Sequence, residues 1–111
     1  MKSSIKIGII GFGTVATGAV KILTERQELL KRRLGCAFEI VRIADLDIKR
    51  NRGVKVPKRI LTTDAMKVIQ DPEIDIVVEL IGGYEPARRF ILDAIRRGKH
   101  VVTANKALLA A

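Results

Sequence analysis

Ile5-Lys6-Ile7-Gly8-Ile9-Ile10-Gly11-Phe12-Gly13-Thr14-Val15-Ala16 is the stretch that decides the fold. Its first six residues read as a short strand, rich in isoleucine and bounded by glycine. From Thr14 to about Leu34 apolar residues recur at helical spacing (Val15, Ala19, Ile22, Leu23, Leu29, Leu30), and Gly35 suits the helix end. Lys21/Glu25 and Glu28/Arg32 would be i,i+4 opposite-charge pairs on its exposed side. Strand, glycine turn and helix in that order form the context required of a dinucleotide fingerprint. Gly11 permits the tight turn, Gly13 presents no side chain to obstruct a pyrophosphate, and Ala16 is small enough for helix–strand packing. Phosphate would then meet the N–H groups at the positive helix end. Many strand-to-helix turns use glycine only for backbone freedom, so the placement, more than the glycine pair, carries the reading.

Outward from this stretch the same alternation continues. Phe38 to Asp45 is a second strand. Ile60-Leu61 suggests a brief edge strand, and Thr63 or Asp64 caps a short helix with Ala65, Val68 and Ile69 inward, ending at Asp71-Pro72. Ile74 to Ile81 is the most apolar strand, as expected for one covered on both faces. Pro86 suits the first turn of a further helix, whose Ala87, Phe90, Ile91, Ala94 and Ile95 share one face. Gly98 closes it and His100 to Thr103 is the last strand. The expectation is one α/β domain over residues 1–111, a Rossmann-like doubly wound parallel sheet in three layers, α/β/α.

Composition narrows the classes. The 111 residues suffice for one domain with a modest core. No apolar run approaches the roughly 18–20 residues of a membrane span, and the N-terminus lacks signal-peptide anatomy. Cys36 is the only cysteine, which excludes an intrachain disulfide framework and a multi-cysteine metal site; a cytoplasmic setting is the default. With a lone His100 besides, no metal is expected. The formal charge of +9 is concentrated in Lys49, Arg50, Arg52, Lys55, Lys58 and Arg59, a run without an acid. Such a run is a solvated loop or a phosphate site. Phe12, Phe38, Tyr84 and Phe90 are too scattered to stack single strands, and no helix-turn-helix or zinc-finger spacing is present, so nucleic acid is not the expected partner.

Asp45, at the end of the second strand, is the candidate for the ribose hydroxyls, somewhat beyond the usual ~20-residue spacing. It favours NAD, whereas Lys49, Arg50 and Arg52 would clamp the extra phosphate of NADP. Both cofactors stay open. Glu79 is out of place in an apolar central strand: either it reaches a backbone N–H cluster or a basic partner, or it protonates. Gly82-Gly83 follows at the strand's carboxyl end, where ligands bind in open α/β sheets. The chain stops in His100-Val101-Val102-Thr103-Ala104-Asn105-Lys106-Ala107-Leu108-Leu109 and two alanines. There Lys106 opens a helix whose dipole disfavours a cation by roughly 0.3–1 kcal/mol. A lysine so placed points to a partner elsewhere.

Gly11 to Val15, Asp75 to Gly83 and Gly98 to Ala110, in this order and spacing, resemble homoserine dehydrogenase over essentially the whole chain. The resemblance implies NAD(P)H-dependent interconversion of L-aspartate 4-semialdehyde and L-homoserine, on the way to threonine, methionine and isoleucine. It assigns Gly11, Phe12, Gly13, Thr14 and Val15 to the pyrophosphate, and Gly82, Gly83, Thr103, Ala104 and Asn105 to the nicotinamide side. It makes Lys106 the lysine at the reacting centre. Ala16 stands where many relatives carry glycine, and Ala44-Asp45 where some NADP-preferring members carry arginine. The family's substrate and dimerisation region would follow Ala111, so an amino-terminal cofactor domain is expected, binding dinucleotide without turnover, from a homo-oligomeric enzyme. The other readings are a related dehydrogenase with a different substrate, and a non-enzymatic nucleotide sensor.

Overall fold

The computed structural model describes residues 4–49, 53, 56–81, 83 and 85–103. Five strands, β1 (Ser4–Ile10), β2 (Ala37–Ala44), β3 (Leu61–Thr62), β4 (Ile76–Glu79) and β5 (His100–Thr103), form one parallel sheet in the order β3-β2-β1-β4-β5. The helices are α1 (Thr14–Glu25), α2 (Gln27–Leu34), α3 (Ala65–Ile69) and α4 (Ala87–Arg96), with a 3-10 turn at Lys58–Ile60. This is the doubly wound sheet that the alternation of strand and helix patterns demands.

Alternation along β1 divides the core into two layers. Ile7 and Ile9 join Phe12, Ala16, Val20 and Ile43 on the α1 face. Ile10 joins Ala44, Val68, Ile69, Val77 and Ala94 on the face covered by α3 and α4. Burying Phe12 (2% exposed) contributes about 1.5–3 kcal/mol, and it anchors the turn after β1 from beneath. Strand order reverses between β1 and β4, so the carboxyl ends of these strands border a crevice.

The long first helix is two. Arg26 (φ −116°, ψ 29°) ends α1 and begins α2. The stripe that meets the sheet is Ala16 and Val20, continued by half-buried Leu23, whereas Val15 and Ile22 face outward. The next position on that stripe is Gln27, which offers no apolar anchor to carry the helix straight on. Among the described residues the ion pairs are Lys6–Glu39, Arg42–Asp71, Arg88–Glu85 and Arg96–Asp93, so neither Lys21–Glu25 within α1 nor Glu28–Arg32 within α2 forms. Asp64, not Thr63, caps α3, its Oδ1 accepting the Met66 N–H at 2.9 Å. No helix among the described residues is long and apolar enough to cross a membrane.

Candidate dinucleotide-binding site

The turn after β1 is held against the sheet by backbone hydrogen bonds. Gly11 N–H donates to the Ala44 carbonyl at 2.8 Å, and Leu80 N–H donates to the Ile10 carbonyl at 2.8 Å. Gly11 has φ +97°, and a Cβ there would lie 2.9 Å from Ile81 N and from the Leu80 carbonyl carbon. Only glycine permits both the conformation and this backbone-to-backbone approach. Gly13 differs. Its φ is −85°, and a Cβ would meet nothing within 4 Å. It caps α1 without any side-chain hydrogen bond, and the first turn carries no acid. The α1 N-terminus thus opens onto space that glycine keeps clear, a fit for phosphate oxygens.

Asp45 closes the other wall. Its Oδ2 accepts the Phe12 N–H at 2.7 Å and its Oδ1 the Asp47 N–H at 3.1 Å. The carboxylate therefore braces the glycine turn as well as facing the crevice. Gly11, Phe12, Gly13 and Asp45 line a cavity of about 490 Å³, within the ~300–1,000 Å³ typical of small-molecule sites. Thr63, Asp64 and Met66 around the start of α3, Leu80 and Ile81 after β4, and Pro86, Arg89 and Phe90 of α4 complete it. Sequence reading missed this last group as site residues. In sequence Phe90 reads as helix-face core and Asp64 as a cap, and only the fold turns both toward the crevice, where the Arg89 guanidinium lies 5.3 Å from the Phe90 ring centroid.

Of the remaining expected site residues, the described ones, Thr14, Val15, Lys49, Gly83 and Thr103, are not among the residues that line this cavity. Thr14 and Val15 are exposed on the first turn of α1, Lys49 is exposed with its N–H donated to Asp47 Oδ1 at 3.1 Å, and Gly83 is exposed with φ +76°. Thr103 ends β5 beside Glu79. Arg50, Gly82, Ala104, Asn105 and Lys106 lie outside the described residues. Glu79 is fully buried and meets one backbone N–H and a hydroxyl, not the expected N–H cluster or basic partner: Oε2 accepts the Ile81 N–H at 2.7 Å and Oε1 the Thr103 hydroxyl at 2.6 Å. No group of three or more His, Cys, Asp or Glu suited to a metal occurs among the described residues.

A glycine turn at an uncapped helix end, an acid after β2 and a crevice at the strand-order reversal define a Rossmann-type dinucleotide-binding domain. The family described as "Homoserine dehydrogenase, NAD binding domain" matches residues 11–111. The chain belongs to this family, and its cofactor is NAD or NADP. It is 44% identical over 107 residues to the homoserine dehydrogenase of Bacillus subtilis, covering 96% of this chain and 25% of the relative. Against that of Methylobacillus glycogenes the identity is 51% over 106 residues, covering 96% and 26%. The crystal structure of a homoserine dehydrogenase from Thiobacillus denitrificans superposes with a TM-score of 0.88 at 46% identity, covering 96% of this chain and 25% of that one. The chain spans about a quarter of the length of the relatives it matches.

Proposed function

We propose that residues 1–111 are the cofactor half of a cytosolic, homo-oligomeric homoserine dehydrogenase that interconverts L-aspartate 4-semialdehyde and L-homoserine. The observation that carries the reading is the α1 N-terminus, uncapped by any side chain and kept open by Gly13, at the mouth of the Asp45-walled cavity. When bound, the nicotinamide ring supplies the hydride acceptor or donor. Gly11, Gly13, Thr14 and Val15 hold the pyrophosphate, Phe12 fixes the turn beneath it, and Asp45 faces the ribose. Lys49 and Arg50 stand ready for a 2′-phosphate. Gly82, Gly83, Thr103, Ala104 and Asn105 border the nicotinamide side. Lys106 presents its ammonium to the aldehyde oxygen and stabilises the charge that gathers there.

Calorimetric titration of this chain with NAD and NADP tests the cofactor half. Saturable heat with either supports the reading, and no heat or chemical-shift change with both overturns it. Homoserine oxidation assays test the division of labour, with turnover expected from the full-length enzyme and essentially none from residues 1–111. In the full-length enzyme Lys106→Ala should lower kcat at least about a hundredfold with Kd for the dinucleotide nearly unchanged. Equal loss of binding would move Lys106 from the reacting centre to the cofactor.

A further inference from the structure

A second cavity, of about 360 Å³, lies against α1 and shares no lining residue with the dinucleotide cavity. Four consecutive residues of β2, Phe38 to Val41, line it. Successive strand residues point to opposite faces, so one cavity touches all four only along the edge of the strand. That edge is open because β3 is two residues long and pairs only with Ile43 and Ala44. The register with β1 tells which backbone groups are left over. The Lys6 and Ile10 carbonyls turn toward β4, where they accept the Asp75 and Leu80 N–H groups. Ile5 and Ile7 therefore face β2, and they bond to the neighbours of their register partners Phe38 and Ile40. The N–H and C=O groups of Phe38 and Ile40 point the other way, to the edge where no strand among the described residues meets them.

The walls decide what can fill that edge. Val20, Leu23, Phe38, Ile40, Val56 and Ile60 give it an apolar floor. The Glu39 carboxylate also borders it, but Lys6 Nζ neutralises that charge at 2.9 Å. Arg59 is exposed at the rim and has no ion pair among the described residues, so the uncompensated charge is positive. It belongs to the basic run and is not among the residues that line the dinucleotide cavity. We propose that the β2 edge is a strand-addition site for an extended segment of another protein in which apolar and acidic residues alternate. Phe38 to Val41 span about 13 Å, the length of four extended residues. The incoming backbone bonds Phe38 and Ile40, every second side chain enters the apolar floor, and the acids between stay at the rim with Arg59. A second copy of this chain fits less well, since its own β2 edge lies behind the same walls and it carries the same charge of +9.

The test is titration of this chain with the peptide acetyl-Asp-Val-Asp-Val-Asp-amide, with amide hydrogen exchange followed residue by residue. Binding should slow exchange at Phe38 and Ile40 at least about tenfold and leave Glu39, already bonded to β1, nearly unchanged. The same peptide N-methylated at every residue keeps its charge but loses its backbone donors, and its Kd should rise at least about tenfold. Equal affinity for these two peptides would mean attraction to a basic surface alone and overturns the proposal. So does failure of the acidic peptide to bind. A peptide with lysine in place of aspartate should not bind, and Arg59→Ala should weaken the acidic peptide about threefold. Equal binding of the lysine peptide, or an unmoved Kd in Arg59→Ala, overturns the acidic assignment. Protection at Phe38 and Ile40 that grows with protein concentration in the absence of peptide would give the edge to a second copy, and overturns the proposal too.

Discussion

The two ends of the sheet use carboxylates for opposite purposes. At the amino ends of the strands they lock segments together. Asp75 accepts the Lys6 N–H at 2.9 Å, while Asp71 accepts Arg42 Nε at 3.0 Å and the Glu73 N–H at 2.9 Å. Lys99 Nζ reaches across to the Asp71 and Ile74 carbonyls at 2.6 and 2.8 Å. At the carboxyl ends, Asp45 and Glu79 hold loops by their N–H groups, Asp45 on the wall of the crevice and Glu79 fully buried. Cations join backbone N–H donors at one end. Backbone and hydroxyl donors shape the other. The same chemical group joins segments at one end and holds loop N–H groups around a cavity at the other.

The largest expected effect strikes the open edge. Gly11→Ala should cost about 3 kcal/mol or more in urea unfolding, since left-handed strain of about 1–2 kcal/mol adds to overlap with an unyielding backbone. A loss below about 1 kcal/mol would mean that the turn is not seated on β4. At the stapled edge, Asp71→Asn should cost about 1–2 kcal/mol at pH 7 and leave dinucleotide Kd within twofold. Burial pushes the Asp71 carboxyl up, but the Glu73 N–H and the Arg42 guanidinium outweigh it and hold it below its ordinary 3.8. A depressed carboxyl contributes stability above its unfolded value and loses it as pH falls through the folded one. The wild-type advantage over Asp71→Asn should therefore shrink below pH 3.8, and an advantage that grows in acid would refute the staple.

Gly13→Ala should separate recognition from stability. Alanine is the poorer N-cap residue, but its smaller unfolded-state entropy offsets part of that, so unfolding should shift by less than about 1 kcal/mol. Dinucleotide Kd should rise about tenfold, because the methyl enters the space left for phosphate. Unchanged Kd would show that the pyrophosphate lies elsewhere. The smallest effect is expected at Lys49, an exposed charge. Lys49→Ala should weaken NADP about threefold and NAD hardly at all. Equal effects on both would return the basic run to a solvated loop.

Most of the fold is legible in sequence because its signals are local. The isoleucine run of β1, the glycine turn, and the Gly35 and Gly98 stops each act within a few residues. The phase of the first helix was not legible. Val15 and Ile22 are as apolar as Val20, and only the sheet beneath selects which stripe is buried. Its break at Arg26 follows from the same contact. In the site, Gly11, Gly13 and Asp45 announce themselves through a spaced pattern, whereas Arg89 and Phe90 reach the cavity through a helix some 75 residues away from the turn they face.

The sequence by itself determined the alternation of strands and helices, the glycine turn and the family, because these rest on residue type, period and spacing. Tertiary structure alone decided which groups meet the buried carboxylate. Glu79 and Thr103 lie 24 residues apart and meet only because β4 and β5 pair in parallel register. No local rule reports a hydrogen bond between two strands, since it depends on which groups the pairing brings within reach.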